Sequence, residues 1–262
     1  MFIHQSILGR VVGQILILLG LAILSLPIAM ILATSLSGEG VANYEIILAT
    51  TPFAQFFVNS LVITVATVVA VIAVSLTGAF AIATLRPRGS AIALVAILAG
   101  MSLPAIALIV PLYYVVQAFG LLNTYWAVTV PLTAISVPFG VLVATNYIRG
   151  LPIELWEAAR LDGASSSTYF ARILVPICMP IIAVIAIFTF LAAWNEYLLP
   201  LIFIQDTGKQ VLTQVPTYFQ SQRLVDTPKV FAANVLISIP VIVAYIGLQN
   251  FFRRGMSAGA IK

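Results

Sequence analysis

Apolar residues run through this chain in six long blocks, broken by short polar stretches. The blocks are Val11–Leu36, Phe57–Leu85, Ala91–Phe119, Tyr125–Ile148, Ile177–Ile204 and Val230–Phe252. Each is long enough for a helix to cross the roughly 30 Å apolar core of a bilayer at about 1.5 Å per residue. No charge lies between Arg10 and Glu39, an interval far longer than the apolar part of a cleaved signal, so the first block is expected to be a retained span. Ala33 and Ser35 could mimic a cleavage site, and a signal peptide is the alternative for that block alone. The expectation is an all-α integral membrane protein with six transmembrane helices in one domain over 1–262. Connecting it are a polar stretch at Ser37–Gln55, a tight turn at Gly120–Thr124, a charged loop at 149–176 and a second polar stretch at 205–229.

Composition supports that class. The chain has 262 residues, of which 62% are hydrophobic and 8% charged, against about 25% charged in soluble domains. Mean hydropathy is +1.14. The net charge of +4 comes from twelve Lys and Arg and eight Asp and Glu. The basic residues form no run, so membrane orientation explains them better than nucleic acid does. Arg10, Arg86, Arg88, Arg149, Arg160, Arg172, Arg253, Arg254 and Lys262 fall on one set of loops, and Lys209, Arg223 and Lys229 on the other. That asymmetry puts both termini and the 149–176 loop in the cytoplasm.

The candidate chemistry is sparse. His4 and Cys178 stand alone in their types, which excludes an HExxH zinc site, a Ser-His-Asp triad, an internal disulfide and a cysteine metal cluster. There is no GxxxxGK[ST] phosphate loop, and Gly208-Lys209 is followed by Gln210, so any ATP must be hydrolysed elsewhere. The spans lack the paired carboxylates of ion-coupled carriers. Glu196, in Trp194-Asn195-Glu196-Tyr197, is the one charge inside a span. In a continuous helix it would lie roughly 28 Å from Ile177. It is read either as part of an interfacial aromatic cluster or as a path-lining or packing group. Eight prolines fall within the apolar blocks: Pro27, Pro104, Pro111, Pro131, Pro138, Pro180, Pro200 and Pro240. They fit ordinary kinking and a gated pathway equally well.

The loop Leu151–Pro176, with Arg149 just before it, holds Glu154, Glu157, Arg160, Asp162 and Arg172. It reads as two short helices. Pro152 suits a first helical turn, Gly163 the break, and Ser165–Ser167 the N-cap of a second helix running to Pro176. A solvated loop would explain the charge. It would not explain Ala158, Ala159, Gly163 and Ala164, whose small side chains suit close entry into a groove on another protein.

Glu157-Ala158-Ala159, Asp162-Gly163-Ala164, Phe170, Ile173 and Pro176 together closely resemble the EAA motif of ATP-binding-cassette (ABC) importer permeases, with Val175 where Leu is more usual. The Asp-Gly-Ala form resembles the carbohydrate-uptake branch, to which the maltose permease subunit MalG belongs. Asn59-Ser60, Ala79-Phe80-Ala81, Pro111-Leu112-Tyr113, Gly120-Leu121-Leu122-Asn123-Thr124, Trp194-Asn195-Glu196, Pro240 and the tail from Arg254 to Lys262 fit that branch too. The resemblance implies a MetI-like type I permease fold and no cofactor bound by this chain. It also implies a second, MalF-like permease subunit and two ATPase subunits that use ATP and magnesium. An extracytoplasmic binding protein would deliver sugar. Glu157, Ala158, Ala159, Asp162, Gly163 and Ala164 would couple to the ATPase, and Arg253, Arg254, Gly255 and Lys262 would reach it from the tail. The stretch 205–229 would meet the binding protein. Permeases for glycerol 3-phosphate or glycerophosphodiesters look similar, and a membrane scaffold is the non-transport alternative.

Overall fold

The computed structural model describes the backbone of residues 7–221 and 224–259, with side chains from 11 to 247. Among the described residues every regular element is helical. The elements are α1 (Ile7–Ser35), α2 (Ala42–Thr50), α3 (Phe53–Phe80), α4 (Ser90–Gly100), α5 (Ile109–Ala118), α6 (Trp126–Arg149), α7 (Glu154–Leu161), α8 (Ser166–Tyr169), α9 (Val175–Ile177), α10 (Met179–Trp194), α11 (Leu198–Phe203) and α12 (Thr227–Gly259). A π-helical turn at Ala81–Leu85 extends α3, and another at Phe170–Leu174 joins α8 to α9.

Four helices are long and apolar enough to cross a membrane unaided: Val11–Ser35 within α1, Phe53–Leu85, α6, and Thr227–Gly247 within α12. Counted as one span each, two bent pairs bring the number among the described residues to six: Ser90–Gly100 with Ala105–Ala118, bent by 94°, and Ser166–Ile177 with Met179–Trp194, bent by 75°. The third block, expected as a continuous span over 91–119, is therefore broken, and the fifth, expected over 177–204, bends at its start and is interrupted again at 195–197. Pro104 has no N–H and pushes its predecessor out of the helical region, and it stands where the chain restarts as a 3-10 turn at Ala105–Leu108. Pro180 is in the first turn of α10, where it cannot donate to the carbonyl of Pro176, and the axis turns at Cys178. The second helix of the charged loop thus runs past Pro176 to Ile177 instead of stopping there. Pro27, Pro131, Pro138 and Pro240 lie inside unbroken helices, so proline alone does not mark the breaks.

The single domain expected over 1–262 divides into two compact units, residues 1–53 with 215–239 and residues 54–214 with 240–262. In the first, the span within α1 buries none of its most apolar window. Asn43 ties its end, donating to the carbonyls of Ser35 at 3.0 Å and Ser37 at 2.8 Å. Lys229 pairs with Asp226 at 2.7 Å and Glu39 at 3.4 Å, and the ammonium holds the Asp226 carboxyl below its usual range.

In the second unit α3 packs on α6 over two apolar clusters. One gathers Phe80, Ala83, Ala144, Ile148, Tyr169 and Leu174 around the C-terminal end of α3. The other gathers Ile63, Val128, Leu132, Phe203 and Val211 nearer its start. Within the first cluster the helices meet where Gly140 faces Ser75, and a Cβ on Gly140 would stand 2.2 Å from Ser75 Oγ and 2.9 Å from its Cβ. Small residues let membrane helices approach this closely. Gly140→Ala is expected to cost about 1–3 kcal/mol by overpacking and to lower the unfolding temperature of the purified protein. Adding Ser75→Gly should restore most of it, and absence of that rescue would show that the crossing is not the constraint.

Candidate functional site

The charged loop is built from its own backbone outward. α7 is an eight-residue helix with Glu154 and Glu157 in its first turn and Arg160 in its last, each charge matched to the helix dipole. Pro152 precedes the helix. The helix ends in a Schellman motif: the N–H of Ala164 donates to Ala159 O at 2.9 Å and that of Gly163 to Arg160 O at 3.1 Å. Gly163 takes the left-handed conformation this closure needs, with φ +76°. Ser165 then caps α8, accepting from Thr168 N at 3.2 Å.

This geometry changes the reading of the small residues. Ala159 is buried and Ala164 packs on the same core, as the two positions of a Schellman motif commonly do. Both face inward, where they serve the closure of the helix. Ala158 alone of the three alanines is exposed. It shares an i, i+3, i+4, i+7 stripe with Glu154, Glu157 and Leu161. Leu161 is 89% exposed. Sequence reasoning passed over it, although that spacing within Glu154–Leu161 was visible.

The opposite face of α7 is fixed by an aromatic knot. Trp156 meets Tyr169 edge-on at 4.8 Å between ring centroids and Phe80 at 6.0 Å. Phe80 also meets Tyr169 at 6.1 Å and Phe170 at 5.4 Å. The Arg160 guanidinium lies 5.6 Å from the Trp156 ring centre, a cation–π contact. Phe80 is the last residue of α3 before the π turn, so the loop is locked to the end of that helix. A half-open cavity of about 350 Å³ lies beside the knot, lined by Arg86, Arg149, Glu154, Trp156 and Tyr169 among others.

At the start of α3 a second polar assembly holds the segment 205–213. Asn123, in the left-handed conformation with φ 59°, accepts through Oδ1 from the N–H groups of Gln205 at 2.6 Å and Asp206 at 3.1 Å. Its own N–H donates to Phe203 O at 2.9 Å, and its carbonyl accepts from Lys209 Nζ at 2.9 Å. Asn59 donates to Gly208 O at 3.1 Å and Gln210 O at 2.7 Å, and accepts from the Tyr125 hydroxyl at 2.8 Å. Gln55 also donates to Gly208 O at 2.7 Å, and Ser60 Oγ accepts from Leu212 N at 2.8 Å. The N–H of Gly208 and the ammonium of Lys209 hold the Asp206 carboxyl below its ordinary range. Asn59-Ser60 and the turn at 120–124, conspicuous in the sequence without a role, thus act together here.

Trp194-Asn195-Glu196 marks the end of α10. Trp194 is buried, stacked on Phe190 at 5.7 Å and edge-on to Phe57 at 5.7 Å; it packs. Asn195 turns back on the helix, donating to Leu191 O at 2.8 Å. Glu196 is not within a helix, as a continuous span required, but in the break before α11. Its Oε1 accepts from Leu199 N at 3.0 Å, and its carbonyl accepts from the Thr213 hydroxyl at 2.8 Å. It also lines a cavity of about 260 Å³ with Ala105, Ile106, Ile109, Ile135 and Leu199, so the breaks after α10 and after Pro104 share one space. Of the tail residues, Arg253, Arg254 and Gly255 lie on the backbone of α12 and Lys262 lies outside the described residues. No group of His, Cys, Asp and Glu able to hold a metal occurs among the described residues.

Comparison with known proteins agrees with this architecture. Residues 75–258 match the family described as binding-protein-dependent transport system inner membrane component. A probable ABC transporter permease of Bacillus subtilis, YurM, is 32% identical over 208 residues, 79% of this chain and 69% of that protein. The diacetylchitobiose uptake permease NgcG of Streptomyces coelicolor is 32% identical over 210 residues, 79% of this chain and 70% of that protein. A chain from the crystal structure of a bacterial ABC transporter that imports the acidic polysaccharide alginate shares the fold. Its TM-score is 0.78 at 22% identity, with 96% of this chain and 100% of that chain covered. The chain belongs to the binding-protein-dependent inner-membrane components: it is a multi-pass permease subunit of an ABC importer, not itself an enzyme.

Proposed function

We propose that this permease carries a sugar or oligosaccharide across the inner membrane as one of two dissimilar membrane subunits, driven by a pair of ATPase subunits that bind ATP and magnesium. The observation that carries the coupling half of this reading is the exposed stripe of α7. Glu154, Glu157, Ala158 and Leu161 stand free on a helix whose other face is locked to α3. Two carboxylates flanking an alanine and a leucine suit a cleft with a basic rim and an apolar floor. Force applied there passes through Trp156 to Phe80 and so into a spanning helix.

The charge distribution supports a cytoplasmic position for α7. Arg86, Arg88, Arg149, Arg160 and Arg172 have no carboxylate within salt-bridge distance among the described residues. Lys209 and Lys229, on the other set of loops, are each paired with acids, but orientation follows the count of Lys and Arg, nine against three. The relative that takes up diacetylchitobiose supports a carbohydrate substrate, as does the Asp162-Gly163-Ala164 sequence. The cavity at the two helix breaks offers a carboxylate and aliphatic groups. A glycerol phosphate would meet repulsion there, so sugar is favoured over that alternative.

Two substitutions test the coupling assignment in the assembled importer. Glu157→Lys is expected to weaken retention of the ATPase subunits on co-purification and to reduce uptake in parallel; normal retention with normal uptake would refute the assignment. Gly163→Ala forces φ +76° on an L-residue with open space around its Cβ, a backbone cost of roughly 1–2 kcal/mol. Uptake should fall while complex assembly persists, and Gly163→Asn should fall less. Loss of assembly instead of uptake would favour a scaffold role.

A further inference from the structure

The segment 205–213 is tied at both ends to elements of different kinds. Its first residues hang from Asn123 and leave Gln205, Asp206 and Thr207 exposed. Its middle is held by Gln55, Asn59 and Ser60, which engage the backbone of residues 208, 210 and 212. Its last residue, Thr213, donates to the carbonyl of Glu196. Glu196 in turn caps α11 with its carboxylate and lines the cavity shared by the two helix breaks. Side chains of the surrounding elements thus pin the nine residues of this strap along its whole length.

The geometry points to Thr213 as a positioning residue that carries docking of the extracytoplasmic binding protein, sensed at the exposed residues 205–207, to the break at 195–197. The family depends on a binding protein, and the exposed stretch offers it the Asp206–Lys209 ion pair. The inference rests on the reading that residues 205–229 face outward. A shift of the strap pulls on the Glu196 carbonyl, loosens the Leu199 cap and changes the cavity. Asn123 sets the other end: its left-handed backbone and single acceptor oxygen fix where the exposed stretch begins.

The test uses the complete importer with its own binding protein. Thr207→Cys, carrying a cross-linker, should capture the binding protein; failure to do so would overturn the outward reading itself. Thr213→Val removes the hydroxyl at nearly constant volume. It is expected to lower ATPase stimulation by the binding protein about fivefold, the factor one hydrogen bond of average net strength carries. Docking affinity, basal ATPase and assembly should be unchanged, and Thr213→Ser should restore stimulation. Full stimulation in Thr213→Val, with the Thr207 cross-link intact, would overturn the inference alone. So would a Thr213→Ser variant as impaired as valine, or a parallel loss of basal activity and assembly, which would mark a merely structural contact.

Discussion

Everything distinctive about the charged loop depends on the contact of Phe80 with Trp156, Tyr169 and Phe170. An eight-residue helix has no stability of its own in water, and α7 is about 12 Å long. It persists because its inner face is buried in an aromatic knot whose ring pairs each contribute about 0.5–1.5 kcal/mol beyond burial, and because a Schellman motif closes its end. Remove the knot and Glu157 and Leu161 have no fixed place from which to meet another protein. The two π-helical turns, at Ala81–Leu85 and Phe170–Leu174, adjoin Phe80 and Tyr169. Such turns recur at functional sites, and here each lets a spanning segment present a ring to α7 while its axis continues.

α3 connects this knot to the far side of its unit. From Asn59 to Phe80 a helix covers about 32 Å, the thickness of a bilayer core. One end is gripped by side chains that recognise backbone carbonyls of the strap, the other by aromatic rings. The crossing at Ser75 and Gly140 lies between, where α3 and α6 touch without bulk. A motion of α7 and a motion of the strap therefore act on the same helix. At the strap's end the Thr213–Glu196 hydrogen bond reaches a cavity lined by the break at 195–197 and by the turn after Pro104.

The sequence showed the class and singled out the charged loop because both are written in composition and local pattern. Long uncharged blocks, skewed arginines and the Glu157–Ala164 run are legible residue by residue. The breaks were less so. When both halves of a bent span are apolar, hydropathy does not register the bend, and Pro131 and Pro138 sit inside a continuous helix while Pro104 marks a break. Glu196 was misplaced for the same reason: assuming one helix from Ile177 put it inside a span, whereas Asn195 and Glu196 end one helix and cap the next. The smallness of Ala159 and Ala164 has two physical uses, groove entry and helix closure, and the second is visible only in the hydrogen bonds of Ala164 and Gly163. The roles of Asn59 and Asn123 depend on contacts spanning 80–150 positions in sequence, which no local pattern carries.

The central claim is that ATPase motion enters through α7 and passes by the aromatic knot into α3. The most direct measurement is the ratio of ATP hydrolysed to substrate imported by the reconstituted importer carrying Phe80→Leu, which keeps apolar bulk but removes the ring contacts. The account predicts that the ATPase subunits remain bound and hydrolyse ATP while import falls, so that the ratio rises. An unchanged ratio, with import intact or falling only in step with hydrolysis, would contradict it.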